Sequence, residues 1–135
     1  MIKLVIGVKG TGKTKTLIEK VNAALSTTKG NVVCLEKGTK LVHDINYQAR
    51  LINTDEYFIS DGSALDGFVA GILASNSDVT DLFIDSALKI CNNDLFSFDQ
   101  FLAKLDKMTQ NMNVNIFITA SMPAEDSTDI IKKYL

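Results

Sequence analysis

Short apolar runs alternate along this chain with longer stretches in which apolar residues return every three or four positions. The runs suit strands buried on both faces, and the three-to-four period suits helices with one buried face. Residues 2–6 predict the first strand, 31–35 the second, 82–85 a third and 114–119 the last. A helix over 13–26 places Leu17, Ile18, Val21, Ala24 and Leu25 on one face, with Gly30 as a stop just beyond it. Residues 40–45 and 49–53 suggest a hairpin around Asn46 and Tyr47. Ser63 with Asp66 reads as a capping box opening a helix that buries Leu65, Phe68, Val69, Ile72 and Leu73. A second box, Ser97 with Gln100, opens a helix that buries Phe98, Phe101, Leu102, Leu105 and Met108. Pro123, the only proline, suits the first turn of a terminal helix carrying Ile130, Ile131 and Tyr134. The alternation predicts an α/β fold in which a mostly parallel sheet of about four or five strands is covered by helices.

Composition narrows this little. A length of 135 residues suits one domain with one core, spanning 1–135, and 46% apolar residues is a globular proportion. A net charge of −2 gives no general attraction to nucleic acid or anionic membrane, so polyanion binding would need a local site. Two cysteines, Cys34 and Cys91, without a CxxC pair and with the lone His43, exclude a disulfide scaffold and argue against zinc. Residues 1–8 are too short for a signal peptide before the glycine-rich stretch, and no apolar run reaches 18 residues. A soluble, cytoplasmic protein without a membrane span is the expectation. Gly67 and Gly71 are expected to let their helix lie close to the sheet.

The chemistry concentrates at the first turn. Gly7-Val8-Lys9-Gly10-Thr11-Gly12-Lys13-Thr14 fits G-x-x-x-x-G-K-[ST] at every position, follows a buried strand and opens an amphipathic helix. Such a loop curls so that successive backbone N–H groups point at phosphate oxygens, and the helix adds the positive end of its dipole. Lys13 carries a mobile charge toward β- and γ-phosphates, the Thr14 hydroxyl can ligate magnesium, and Lys9 and Lys15 add positive charge. An apolar run ending in Asp85 supplies the second acidic position a magnesium ion needs. Ser86 stands where many ATPases place a catalytic glutamate after that aspartate. Glu36, ending the second strand, is the alternative general base, with an ordinary strand-end charge as the competing reading. Thr119 and Ser121 close the last strand as candidate γ-phosphate sensors, and Arg50, the only arginine, is a candidate finger toward a neighbouring subunit.

At the 7–14 loop, at the strand ending in Asp85 and in its alternation of elements, the chain resembles the P-loop NTPase superfamily. In detail it is similar to short clostridial-type ATP-binding proteins labelled as twitching-motility (PilT-like) proteins. True pilus-retraction motors have an extra N-terminal domain and histidine- and aspartate-rich boxes, none of which is read in these 135 residues, so a motor role is not expected. The resemblance implies a three-layer α/β/α domain of the RecA-like kind that binds ATP and Mg2+. The functional expectation is a magnesium-dependent ATP-binding protein, a slow ATPase acting as a switch or assembly module. Two alternatives stand beside it: a small-molecule kinase of nucleoside or nucleotide type using Asp55 or Glu56, and a nucleotide sensor that does not hydrolyse. The expected partner is a nucleoside triphosphate, with room for a second copy of the chain or another protein. ATP is favoured over GTP because no N-K-x-D motif is present.

Overall fold

The computed structural model describes residues 1–135, along which strands and helices largely alternate. β1 (Ile2–Gly7) leads to α1 (Lys13–Thr27), then β2 (Asn31–Glu36), β3 (Arg50–Asn53) and α2 (Gly62–Ser75). β4 (Val79–Ile84) follows, with α3 (Ala87–Ile90), α4 (Leu95–Thr109), β5 (Asn115–Ser121) and α5 (Asp129–Lys132). The five strands form one sheet in the order β1-β5-β4-β2-β3, and every neighbouring pair is parallel. Parallel neighbours need long crossover connections; helices supply the one from β4 to β5, whereas β2 reaches β3 through residues 37–49 without a helix.

Alternation along each strand sorts the core into two faces. Val33, Leu35, Leu82, Ile84, Ile116 and Ile118 join Leu65, Val69, Phe98, Phe101 and Leu105 of α2 and α4 on one side. Val32, Cys34, Phe83 and Phe117 meet Leu17 and Val21 of α1 on the other. Helices therefore cover both faces, as a three-layer α/β/α arrangement requires. No helix is long and apolar enough to cross a membrane.

Several local expectations are corrected. There is no hairpin: β3 runs parallel to β2, with Val33 beside Arg50 and Glu36 beside Asn53. The segment before β3 is a series of turns that buries Leu41, Ile45 and Ala49 against α1. Asn46 does mark a turn, its side chain accepting the Gln48 N–H and its carbonyl the Ala49 N–H. Neither capping box forms. Asp61 caps α2 by accepting the Ala64 N–H, and Asp94 caps α4 by accepting the Ser97 N–H. Asp66 is instead turned inward against the core. α1 ends at Thr27 without a left-handed glycine; Gly30 matters because a Cβ there would strike the Asp78 carbonyl and the Thr80 side chain. Gly67 and Gly71 are exposed with open space beside them, so they bring no surface close to the sheet. The proline-led terminal helix is divided: Pro123 precedes a 3-10 turn at Ala124–Asp126, and α5 starts afresh at Asp129. α3, four residues long, gave no periodic signal.

Candidate functional site

Because all strands point the same way, their C-terminal ends share one rim, where ligands of open parallel sheets bind. Gly7 ends β1, Glu36 ends β2, Asp85 follows β4 and Ser121 ends β5. A cleft of about 450 Å³ opens there, lined by residues of the 7–14 loop, Lys15, Glu36, Asp85 and Ser121. Sequence-predicted site residues are thus gathered in one place from four separate strand ends.

The loop has the backbone its glycines permit. Gly10 and Gly12 take φ of 88° and 85°, the left-handed region where a side chain is strained. Gly12 is also the residue from which α1 starts, and no side chain caps that helix end, so its first N–H groups are left for a ligand. Within the loop the Thr11 hydroxyl donates to the Val8 carbonyl at 2.8 Å. Lys13, only 9% exposed, folds back and donates to the same carbonyl at 2.9 Å and to Thr11 Oγ1 at 3.3 Å. Those are partners an ammonium group can exchange for phosphate oxygens without leaving the cleft.

Asp85 is buried and surrounded by hydroxyls. Thr14 donates to its Oδ1 at 3.2 Å and lies 3.3 Å from Oδ2, while Thr119 donates to Oδ1 at 2.7 Å. Thr119 also accepts the Ser86 N–H at 2.8 Å, which holds Ser86 at φ 55°, a costly conformation for a residue with a side chain. The carboxylate orientation is therefore set from β5 as well as from α1. Cis oxygens of an octahedral magnesium ion at about 2.1 Å lie roughly 3 Å apart. The Thr14–Asp85 oxygens, now joined by a hydrogen bond, lie within a few tenths of an ångström of that spacing, so the pair is compatible with adjacent positions on such an ion.

Glu36 is 3% exposed, and both its oxygens are engaged, accepting the Lys40 and Leu41 backbone N–H groups at 3.1 Å each. Burial raises its pKa above the ordinary carboxylate value against the opposing effect of these two bonds, and nearby Asp85 adds to the rise. Burial pushes the thiol of Cys34, two residues before it, far up, and the charges of Asp85 and Glu36 add to the rise, so the reactive thiolate is disfavoured.

Four lysines join the loop's own: Lys15, Lys37, Lys40 and Lys89. Sequence reasoning missed the last three, and Asn93, although each lies just beyond the C-terminal end of β2 or β4, the signal that would have found them. Asn93 and Asn92 take φ of 57° and 60°, so the turn after α3 is as unusual as that at Ser86. Other expected residues stay outside. His43 is exposed in the turn segment, and Arg50 and Glu56 line a smaller pocket of about 230 Å³ along β3. Asp55 is paired with Lys37 at 2.7 Å. Compared with known proteins, the chain matches no family model and no curated protein.

Proposed function

We propose that the chain is a P-loop domain of the RecA-like kind that binds a nucleoside triphosphate with magnesium, ATP in first place, in the cytoplasm. The observation that carries this reading is the convergence of the 7–14 loop, the Thr14 hydroxyl and the buried Asp85 carboxylate in one lysine-rich cleft. The sheet order supports it further. β5 lies between the strand that enters the loop and the strand that leads to Asp85, so the candidate γ-phosphate sensors Thr119 and Ser121 stand between the two.

On this reading the loop N–H groups and the start of α1 bind the phosphates, and Lys13 leaves Val8 and Thr11 for the β- and γ-oxygens. Thr14 and Asp85 would hold magnesium, which neutralises charge on the terminal phosphates. Thr119 keeps the Asp85 carboxylate in place. Hydrolysis is expected to be slow: Ser86 is no base, and Glu36 already accepts two backbone bonds. Slow turnover suits a switch or assembly module.

The test is calorimetric titration of wild type and Lys13→Ala with MgATP and MgGTP, with phosphate release measured on the same samples. Wild type should bind ATP, and Lys13→Ala should lose at least about tenfold in affinity, the worth of a charge-assisted bond. If neither nucleotide binds at millimolar concentration, the reading fails. The pocket lined by Glu56 and Tyr57 shares Glu36 as a wall with the cleft, which favours a kinase as the second reading. Nucleoside diphosphate formed only when an acceptor is added would select the kinase; binding with no diphosphate at all would select the sensor.

A further inference from the structure

The segment after β2, residues 37–41, is held over the rim of the cleft like a strap. Glu36 closes it from below through the Lys40 and Leu41 N–H groups. Asn53, at the end of β3, accepts the Gly38 N–H at 2.8 Å, and Gly38 turns the backbone at φ 101°. Asp55 holds the Lys37 side chain, and the Leu41 side chain is buried in the core between sheet and α1. Two side chains of this strap, Thr39 and Lys40, are exposed and without a hydrogen-bond partner, and of these only Lys40 carries a charge. It is exposed, lines the cleft and makes no ion pair, the Lys37–Asp55 pair being the only one in the molecule.

Position says what an ammonium there would meet. β2 is the third strand from β1 in the sheet, with β5 and β4 between them. At roughly 4.8 Å per strand the strap begins about 14 Å from the loop strand, on the far side of Asp85. On the nucleotide reading, a phosphate chain seated on the loop with magnesium between Thr14 and Asp85 would extend its terminal phosphate toward the strap, which lines the same cleft.

We propose, resting on the nucleotide reading above, that Lys40 is a second phosphate-binding cation directed at the terminal phosphate, and that Glu36 is the residue that positions it. Glu36 then acts through the strap and not on water. The pair does in one chain what a mobile arginine lid or a neighbour's arginine does elsewhere, in a protein whose single arginine lies on β3 away from the cleft.

The experiment measures the dissociation constants of MgATP and MgADP for wild type, Lys40→Ala, Glu36→Gln, the double variant and Lys107→Ala, a charge control on α4. Circular dichroism melts check each fold. Lys40→Ala should weaken MgATP roughly tenfold and MgADP by less than about threefold, because only ATP carries the phosphate the lysine reaches. Glu36→Gln keeps one acceptor but turns an NH2 toward the second backbone N–H, so it should give the same selective loss although Lys40 is present. The double variant should be no worse than either single one, as expected when one residue acts through the other. Lys107→Ala should match wild type. Equal losses for ATP and ADP, or none, in Lys40→Ala overturn the proposal. So does a Glu36→Gln protein that binds ATP normally but no longer releases phosphate, which is the behaviour of a general base. If Glu36→Gln does not fold, the ATP-to-ADP contrast of Lys40→Ala decides alone. Failure of wild type to bind either nucleotide is a separate result and overturns the nucleotide reading itself.

Discussion

Single residues here are decided by which polar groups have partners. Asp85 and Asp66 are both buried aspartates, yet they are opposites. Asp85 is surrounded by the hydroxyls of Thr14, Thr119 and Ser86. Asp66 is 5% exposed on α2, and its Oδ1 has no hydrogen-bond partner. Burial raises the Asp66 pKa to about 7, with the charge of Lys104 on α4 opposing the rise. A folded-state value above the unfolded one of 3.8 means the folded protein holds the proton more tightly. The contribution is favourable below pH 4, declines as pH rises from about 4 to 7, and is absent above. Asp66→Asn should therefore melt close to wild type at pH 4 and several degrees above it at pH 8, relieving about 1–3 kcal/mol of unpaired burial. Parallel melting curves for the two proteins across that range would refute this account. No sequence signal pointed to it, because Asp66 stood at capping-box spacing from Ser63 and a cap is normally solvent-facing. Asp85, by contrast, was legible from the apolar run that ends in it, and Thr119 only as a strand-end hydroxyl; its two bonds come from residues 33 and 34 positions away.

Among elements, α2 shows what periodicity can and cannot read. Its apolar stripe was legible because Leu65 and Val69 must meet α4 and the sheet, and those contacts impose the helical spacing. Its start was not: Ser63 and Asp66 stand at capping-box spacing, yet the helix is capped by Asp61, whose carboxylate accepts the Ala64 N–H. Its glycines divide likewise. A Cβ on Gly62 would strike the Ser97 carbonyl, whereas Gly67 and Gly71 meet nothing and face water. Exposed helix-interior glycines cost about 0.5–1 kcal/mol each relative to alanine. Gly67→Ala and Gly71→Ala should each raise the denaturant midpoint without altering its slope, and together by about 1–2 kcal/mol. Gly62→Ala should lower it. If Gly67→Ala destabilises, that face of α2 meets a surface not present in the monomer. The absent hairpin belongs at this scale too: the turn residues at 46–48 are real, but burial of Leu41, Ile45 and Ala49 beside α1 carries the chain over a face of the sheet before β3 begins. Apolar spacing over six residues does not separate that path from a strand.

The whole molecule sets a local charge against its total. The chain carries −2 overall, while the cleft gathers Lys9, Lys13, Lys15, Lys37, Lys40 and Lys89 against only Glu36 and Asp85. Its ion pairs number one, Lys37 with Asp55 at the rim of that same cleft. Two consequences separate cleanly. Without ligand, stability rests on the two apolar clusters and should change little between 50 and 300 mM salt, because exposed charge pairs contribute little even where they exist. With MgATP at a hundred times its dissociation constant, binding to the folded state alone stabilises by about 2.7 kcal/mol, a rise in melting temperature of roughly 8–12 °C. That increment depends on unpaired lysines meeting a polyanion, so at fixed ligand concentration it should shrink steadily as salt is added. Chelating the magnesium should reduce it as well, leaving lysine and loop contacts without the Thr14–Asp85 ligands. Thermal melts over a grid of salt, MgATP and chelator read all three at once. A ligand-free melting point that moved with salt as strongly as the ligand-bound one would mean that the lysines repel one another enough to strain the empty fold. The cleft would then be a stability device first and a binding site only by consequence.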